Sequence, residues 1–309
     1  MRGIIKAVYT LFLTVLLLII CKLDIMAAPV KMSDGTLFDA QYYMMDNPDV
    51  VQVFGNNPNA MFRHYKEYGK NEGRKPCFDL DSMGLQPSIK NFKRIGVVGD
   101  SFASGAIRSG DKIKDNYYCS WPQVMGRKYG MRVTNYTKGG MNTSSWLTAS
   151  EGYSRMIRTP ADDLYILILG INDANGLIPP SGESYLGSIK DIKGRGDITQ
   201  YPNTFYGNYG RIIELIRAHA PGAKMVMLNM TDPGEISHKY NGAIMEIARY
   251  YGIPYINQMT DDFFFTETYL NFDLGHPTKA GYSGMADAFV RLIEESMKTN
   301  KYYFYPYVK

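Results

Sequence analysis

Five short apolar runs punctuate the chain beyond residue 92: Ile95–Val98, Met131–Asn135, Leu164–Leu169, Lys224–Leu228 and Pro254–Ile256. Each is too short for a helix and reads as a buried strand. Between them apolar positions recur at helical spacing over Trp121–Tyr129, Ser145–Ile157, Phe205–His219, His238–Tyr251 and Thr278–Met297. In Arg211-Ile212-Ile213-Glu214-Leu215-Ile216-Arg217 the spacing is plain, and His219-Ala220-Pro221-Gly222 stops the element. Strands alternating with helices predict an α/β fold, a three-layer α/β/α sandwich around a five-stranded parallel sheet in flavodoxin-like order. Such sheets bind ligands at the carboxyl ends of their strands, which directs attention to the loops after these runs.

The chain before residue 81 is organised differently. Arg2 and Lys6 precede an uncharged stretch from Ala7 to Cys21, and small residues follow at Ala27 and Ala28. Residues 1–28 therefore read as a secretory signal peptide, which places the protein outside the cell or at its surface. A retained N-terminal membrane anchor is the alternative, because Pro29 disfavours cleavage after Ala28 and Ile25 is bulky for cleavage after Ala27. Cys21 does not suit lipoprotein processing, since Leu18-Ile19-Ile20 lacks small residues. Residues 29–80 read as a small helical module and linker: Asn47-Pro48 and Asn57-Pro58 mark helix starts, and Gly55 and Gly69 mark ends. This segment is similar to a helical motif found ahead of domains in bacterial surface proteins. Its plain role is a packing cap or spacer; its sharper one is attachment to the cell envelope. Residues 81–309 then form the main domain.

With 309 residues and 45% apolar content the chain can bury one sizeable core plus an appendage. Residues 1–28 carry three basic side chains and one acidic one, so their removal lowers the formal net charge from +4 to +2. No basic stripe or aromatic platform appears, which argues against nucleic acid as a partner. Cys77 and Cys119 remain beyond the leader; export would permit a disulfide, and two separate buried thiols fit equally. No Cys/His cluster or His-Glu-x-x-His spacing is present, so neither a metal nor another cofactor is expected.

The candidate chemistry lies in four segments. Gly99-Asp100-Ser101 follows the first run, Gly139-Gly140 the second and Gly170-Ile171-Asn172-Asp173 the third, while Asp273-Leu274-Gly275-His276 lies near the C-terminus. A serine hydroxyl becomes nucleophilic at neutral pH when a base takes its proton, and His276 is the candidate base. Asp273 would accept the other ring N–H, setting the tautomer and stabilising the imidazolium. The Ser101 amide at a helix start, the Gly140 amide and the Asn172 carboxamide would form an oxyanion hole, with Gly139 as the alternative glycine. Ala103 stands where a Gly-x-Ser-x-Gly elbow requires glycine, which removes that rival arrangement. Each residue alone also suits a plain role: Asp100 and Ser101 as a helix cap, Asn172-Asp173 as a turn, Asp273 as a cap near Pro277.

Taken together and in this order, the segments resemble the SGNH (GDSL-like) hydrolase family, over roughly Phe92 to Ser296. The resemblance implies a serine ester hydrolase, with Ser101 as nucleophile, Gly140 and Asn172 as oxyanion donors, and Asp273 and His276 as the Asp-x-x-His pair. The glycine block departs from the family pattern, because Met141-Asn142 replaces the commoner polar pair.

The polar, glycine-bearing stretch from Asn175 to Asn203, with Tyr185, Tyr201 and Asp191, is expected to border the site as a lid or rim. It offers no broad apolar face, which suits a sugar ester: O-acetyl groups on carbohydrate or cell-envelope glycans. A lipid or short-chain carboxylester is the alternative substrate, and acyl transfer would use the same residues. A non-catalytic glycan-binding surface protein is the alternative class, against which the intact Ser, Asn, Asp and His stand. His64 reads as a packed histidine, and His219 and His238 as surface residues. Arg195-Gly196-Asp197 is given no role. Glycosylation acceptors at Asn135, Asn142 and Asn229 are discounted, and the aromatic tail Tyr302–Tyr307 is expected to dock against the body of the domain rather than to stack on sugars.

Overall fold

The five apolar runs become the five strands of one parallel sheet: β1 (Arg94–Gly99), β2 (Arg132–Thr137), β3 (Leu164–Ile168), β4 (Lys224–Leu228) and β5 (Tyr255–Ile256). A computed structural model describes residues 29–80, 84, 86–176, 179–194 and 196–307; the predicted signal peptide or anchor lies outside these residues. The strand order is 2-1-3-4-5, with Val97 of β1 opposite both Asn135 of β2 and Ile166 of β3. This is the flavodoxin-like order.

Alternation along the strands feeds two layers of helices. Val98, Tyr136, Leu167 and Met227 share a buried cluster with Tyr209, Ile212, Ile213 and Ile216 of the helix Phe205–His219, and with Ile244 and Ile247 of the helix Glu235–Tyr251. Val97, Ile166 and Val226 alternate to the other face and are fully buried. The helices Trp121–Tyr129 and Lys279–Thr299 pack on one another through Trp121 and Phe289, whose ring centroids lie 4.5 Å apart.

One expected helix is broken. Ser145–Ile157 divides into Thr143–Thr148 and Tyr153–Met156, because Ala149 is extended and Gly152 folds against the Trp146 carbonyl, where a Cβ would overlap it. The Trp146 indole N–H donates to the Tyr136 carbonyl at 2.9 Å, fixing this segment beneath β2.

The chain divides into two compact units, one reaching residue 85 and including Lys301–Tyr305, the other running from Gln86 to Asn300 and taking in the residues from Pro306. In the first, Asp39 caps the helix Ala40–Asp46 and Asn57 caps Pro58–His64, each through its side chain. Phe38, Tyr43, Val50, Met61 and Tyr65 form its core. Arg74 ties the end of the module to its start, donating to Asn47 Oδ1 at 2.7 Å and forming an ion pair with Asp49. His64 is packed among Tyr43, Phe54 and Tyr68, with Nδ1 3.0 Å from the Tyr43 hydroxyl. Gly69 ends the helical run as expected, though as the last residue of a π-helical turn, Tyr65–Gly69, that continues Pro58–His64, and it is pressed against Tyr43. Tyr302 and Tyr305 pack on Phe78, so this part of the tail belongs to this unit, which corrects the expectation that it docks on the body of the main domain. Cys77 and Cys119 are free thiols.

Candidate active site

Three strand ends and one hairpin supply the site. β1 ends at Gly99, where a Cβ would sit 2.8 Å from that of Ala103, so glycine is what lets the helical turn Ser101–Ser104 fold back on the strand. Asp100 caps that turn, accepting from the Phe102 N–H at 3.0 Å, a contribution of about 1 kcal/mol for a typical cap. Ser101 is the first helical residue, so its N–H has no intrahelical partner, and it is 8% exposed on the wall of a cleft. Gly139, Gly140, Asn172 and His276 line the same cleft, together with Ile113, Lys114 and Asp115.

The glycine loop after β2 resolves which amide is free. Met141 N–H donates to the Lys138 carbonyl at 3.2 Å, and Gly140 at the third position has φ 76°, the left-handed value of a type II turn. The Gly139 N–H is taken by both Asp115 carboxylate oxygens, at 3.0 and 3.1 Å. No acceptor pairs with the Gly140 N–H among the described residues. After β3, Asn172 lies in the helical turn Ile171–Asn175 and gives one Nδ2 hydrogen to the Met141 carbonyl at 3.1 Å, which leaves the other. Asp173, next to Asn172, ties this turn to the segment after the glycine loop: one oxygen accepts from the Thr143 N–H at 2.9 Å and from the Thr143 hydroxyl at 2.6 Å.

His276 and Asp273 face each other across a hairpin of two short strands, Phe272–Asp273 and His276–Pro277. The turn Leu274-Gly275 has φ 48° and 77°, both positive, as a type I′ turn requires. Sequence reasoning expects Asp273 to accept the second ring N–H. Instead His276 Nδ1 lies 3.1 Å from the Leu274 carbonyl, and Asp273 Oδ1 lies 3.0 Å from Arg108 Nε. The reason is the tight turn, which curls the Leu274 carbonyl beneath the ring, while Arg108 on the neighbouring strand Ile107–Ser109 offers Asp273 a full charge. No hydrogen bond joins Ser101 Oγ to His276 among the described residues; such bonds commonly tighten only around substrate. Phe102 packs on the imidazole with centroids 5.7 Å apart and on Phe272 at 5.9 Å, forming an aromatic bed beneath the ring.

Burial sets the electrostatics. Asp100 and Asp173 are both out of water, and desolvation pushes each carboxyl up from the usual 3.8 to about 7. The hydrogen bond from Phe102 N–H opposes the rise at Asp100, and those from Thr143 oppose it at Asp173.

A second cavity of about 310 Å³ adjoins these elements and is mostly apolar, lined by Phe102, Ile168, Ile171, Met230, Tyr269 and Phe272 among others. Sequence reasoning missed it, because its walls come from six separated segments with no shared motif. The expected rim at 175–203 is corrected in the same way. Tyr185 and Tyr201 are buried in the core, Asp191 is spent on the Thr204 hydroxyl and the Ser188 N–H, and among the described residues none of this stretch lines the cleft. Asn135, Asn142 and Asn229 are buried, which disposes of the glycosylation acceptors. His238 is exposed, whereas His219 is only half-exposed, with Nε2 buried.

A family model described as the GDSL-like Lipase/Acylhydrolase family matches residues 97–283. A putative GDSL-like lipase from Bacteroides uniformis ATCC 8492 is similar over 68% of this chain and 95% of its own, at 16% identity and a TM-score of 0.46. A psychrotrophic esterase, EstA, from Pseudoalteromonas sp. is similar over 67% and 99%, at 12% identity and a TM-score of 0.46. A family two carbohydrate esterase from Clostridium thermocellum, solved with cellohexaose, is similar over 68% of this chain and 65% of its own, at 14% identity and a TM-score of 0.46. No curated protein matches the chain.

Proposed function

The chain belongs to the GDSL-like lipase/acylhydrolase (SGNH) family and is a serine ester hydrolase, and from that premise we propose that it is secreted and cleaves small acyl esters of carbohydrate hydroxyls, O-acetyl groups among them, through Ser101, His276 and Asp273. The observation that carries the reading is the single cleft shared by Ser101, Gly140, Asn172 and His276, four residues from three strand ends and a hairpin far apart in sequence.

In this mechanism Ser101 Oγ attacks the ester carbonyl carbon as its proton passes to His276 Nε2. The Leu274 carbonyl holds the Nδ1–H and so leaves Nε2 free to act as base. The oxyanion that forms is met by the Ser101 N–H, the Gly140 N–H and the second Nδ2 hydrogen of Asn172. Collapse expels the alcohol, which takes the proton from the imidazolium, and leaves an acyl-serine. Water then repeats the sequence, with His276 accepting its proton, and releases the acid and free Ser101. Asp273, directly across the hairpin, contributes negative charge to the imidazolium. The polar side of the cleft, with Lys114 and Asp115, suits a hydroxylated alcohol. A second reading, a lipid or short-chain carboxylester, draws support from the apolar cavity against Phe102, which has room for an acyl group larger than acetyl.

The test is acyl release from acetylated glycans and from p-nitrophenyl esters of increasing chain length. Ser101→Ala should lose at least roughly 10⁴-fold in rate with its fold intact. Wild-type activity in that variant refutes the mechanism, and a rate that climbs steadily with chain length favours the second reading.

A further inference from the structure

Asp115 belongs to no motif, yet it is the point where two halves of the site are joined. It follows the strand Lys112–Lys114, and its carboxylate faces the cleft. Oδ1 accepts from the Ser104 hydroxyl at 2.5 Å, and Ser104 is the last residue of the helical turn that begins with Ser101. The same oxygen accepts from the Gly139 N–H at 3.0 Å, and Oδ2 accepts from it at 3.1 Å. Gly139 is built for this approach, since a Cβ there would stand 2.9 Å from Asp115 Oδ1.

We propose that Asp115 is a positioning residue that clamps the nucleophile turn to the glycine loop and so aims the Gly140 N–H at the developing oxyanion. The proposal rests on the reading of Ser101 as nucleophile and Gly140 as oxyanion donor. Two consequences separate it from mere structural support. By engaging the Gly139 N–H, the carboxylate holds the peptide plane before Gly139, and the type II turn carries that orientation to the next amide. By engaging Ser104 as well, it fixes the loop relative to the serine, so its loss loosens the relation between nucleophile and donor rather than either element alone. That relation matters most in the transition state, where the oxygen gains charge and moves toward the donors.

The experiment uses the full chain, p-nitrophenyl acetate as substrate and a fluorophosphonate as serine label. Asp115→Ala should lower kcat roughly 10- to 100-fold, less than outright removal of a donor, with KM changed by less than about threefold. Asp115→Asn, which keeps an oxygen for the Gly139 N–H, should fall between Asp115→Ala and wild type. Labelling should slow in parallel with kcat/KM yet still reach one label per chain, an endpoint that partial unfolding would lower. The proposal is overturned if fully labelled Asp115→Ala retains kcat within about twofold of wild type, if the loss sits in KM, or if the labelling endpoint falls in step with kcat. Should Asp115→Ala fail to fold, Gly139→Ala decides, because its Cβ displaces the carboxylate: a kcat loss at full labelling supports the clamp, and wild-type kcat overturns it. A Ser101→Ala control separates the two levels. If it is inactive while Asp115→Ala is fully active, only the clamp fails; if it stays active, the reading of the site fails as well.

Discussion

Asn172, in its proposed role, would divide one side chain between support and chemistry. Its Nδ2 already gives one hydrogen to the Met141 carbonyl, so only the other is available to an oxyanion. Asn172→Ala should therefore lower kcat by roughly 10²- to 10³-fold, as removal of an oxyanion donor does, while KM for a small ester changes little. A loss confined to KM would make Asn172 a contact for bound substrate instead. Asp273 leads to a different expectation from that of an aspartate bonded directly to the base, whose conversion to asparagine costs roughly 10⁴-fold. The Leu274 carbonyl already sets the His276 tautomer, and Arg108 holds the Asp273 carboxylate. Asp273→Asn should then cost on the order of 10-fold in kcat, the share of charge stabilisation alone. A loss near 10⁴-fold in steady-state assays would mean that substrate binding turns Asp273 from Arg108 onto the imidazole.

Leu274 has φ 48°, the only positive value at a non-glycine position among the described residues, and its side chain is 49% exposed. A leucine there costs roughly 1–2 kcal/mol relative to a residue at ease in the left-handed region. It contributes little packing in return, but the turn aims the Leu274 carbonyl at the imidazole. Leu274→Asn keeps the turn and that carbonyl, so it should stabilise the protein by about 1 kcal/mol in denaturant unfolding and leave kcat close to wild type. Destabilisation would show that the leucine side chain packs on something essential at the mouth of the site.

For the molecule as a whole, the two buried carboxyls beside the site make stability depend on pH. Asp100 and Asp173 titrate near 7 when folded and near 3.8 when unfolded. Between those values the folded protein holds more protons than the unfolded chain, so their contribution is fully present below about pH 4 and is lost as pH rises through about 7. Exposed ion pairs such as Asp49 with Arg74 work in the opposite sense, since their carboxyls are lowered. A difference measurement isolates the buried groups. Asp173→Asn keeps an oxygen for Thr143 and removes the titration, so its stability relative to wild type should improve steadily from about pH 4 to pH 7 in thermal melts. Parallel curves would mean that Asp173 is not destabilised by burial.

The sequence by itself determined the sheet, its order and the segments that meet at one cleft. Apolar runs of strand length and helical spacing are local signals, and the boundaries of Trp121–Tyr129, Phe205–His219 and Lys224–Leu228 agree with the structure residue for residue. Parallel topology then carried Ser101, Gly140 and Asn172 to one end of the sheet without any knowledge of side-chain contacts. Tertiary structure alone decided how donors and acceptors were shared. Gly139 and Gly140 are alike in sequence, and only the arrival of Asp115 from another hairpin distinguishes the engaged amide from the free one. Asp273 and His276 sit three residues apart, yet Arg108 and the Leu274 carbonyl took the bonds that their spacing suggested they would share. Tyr185 and Tyr201 looked like rim residues and were drawn into the core, while the apolar cavity was assembled from segments that carry no common pattern. Periodicity records which face of an element is buried; the allocation of each hydrogen bond depends on which partners, distant along the chain, packing brings within about 3 Å.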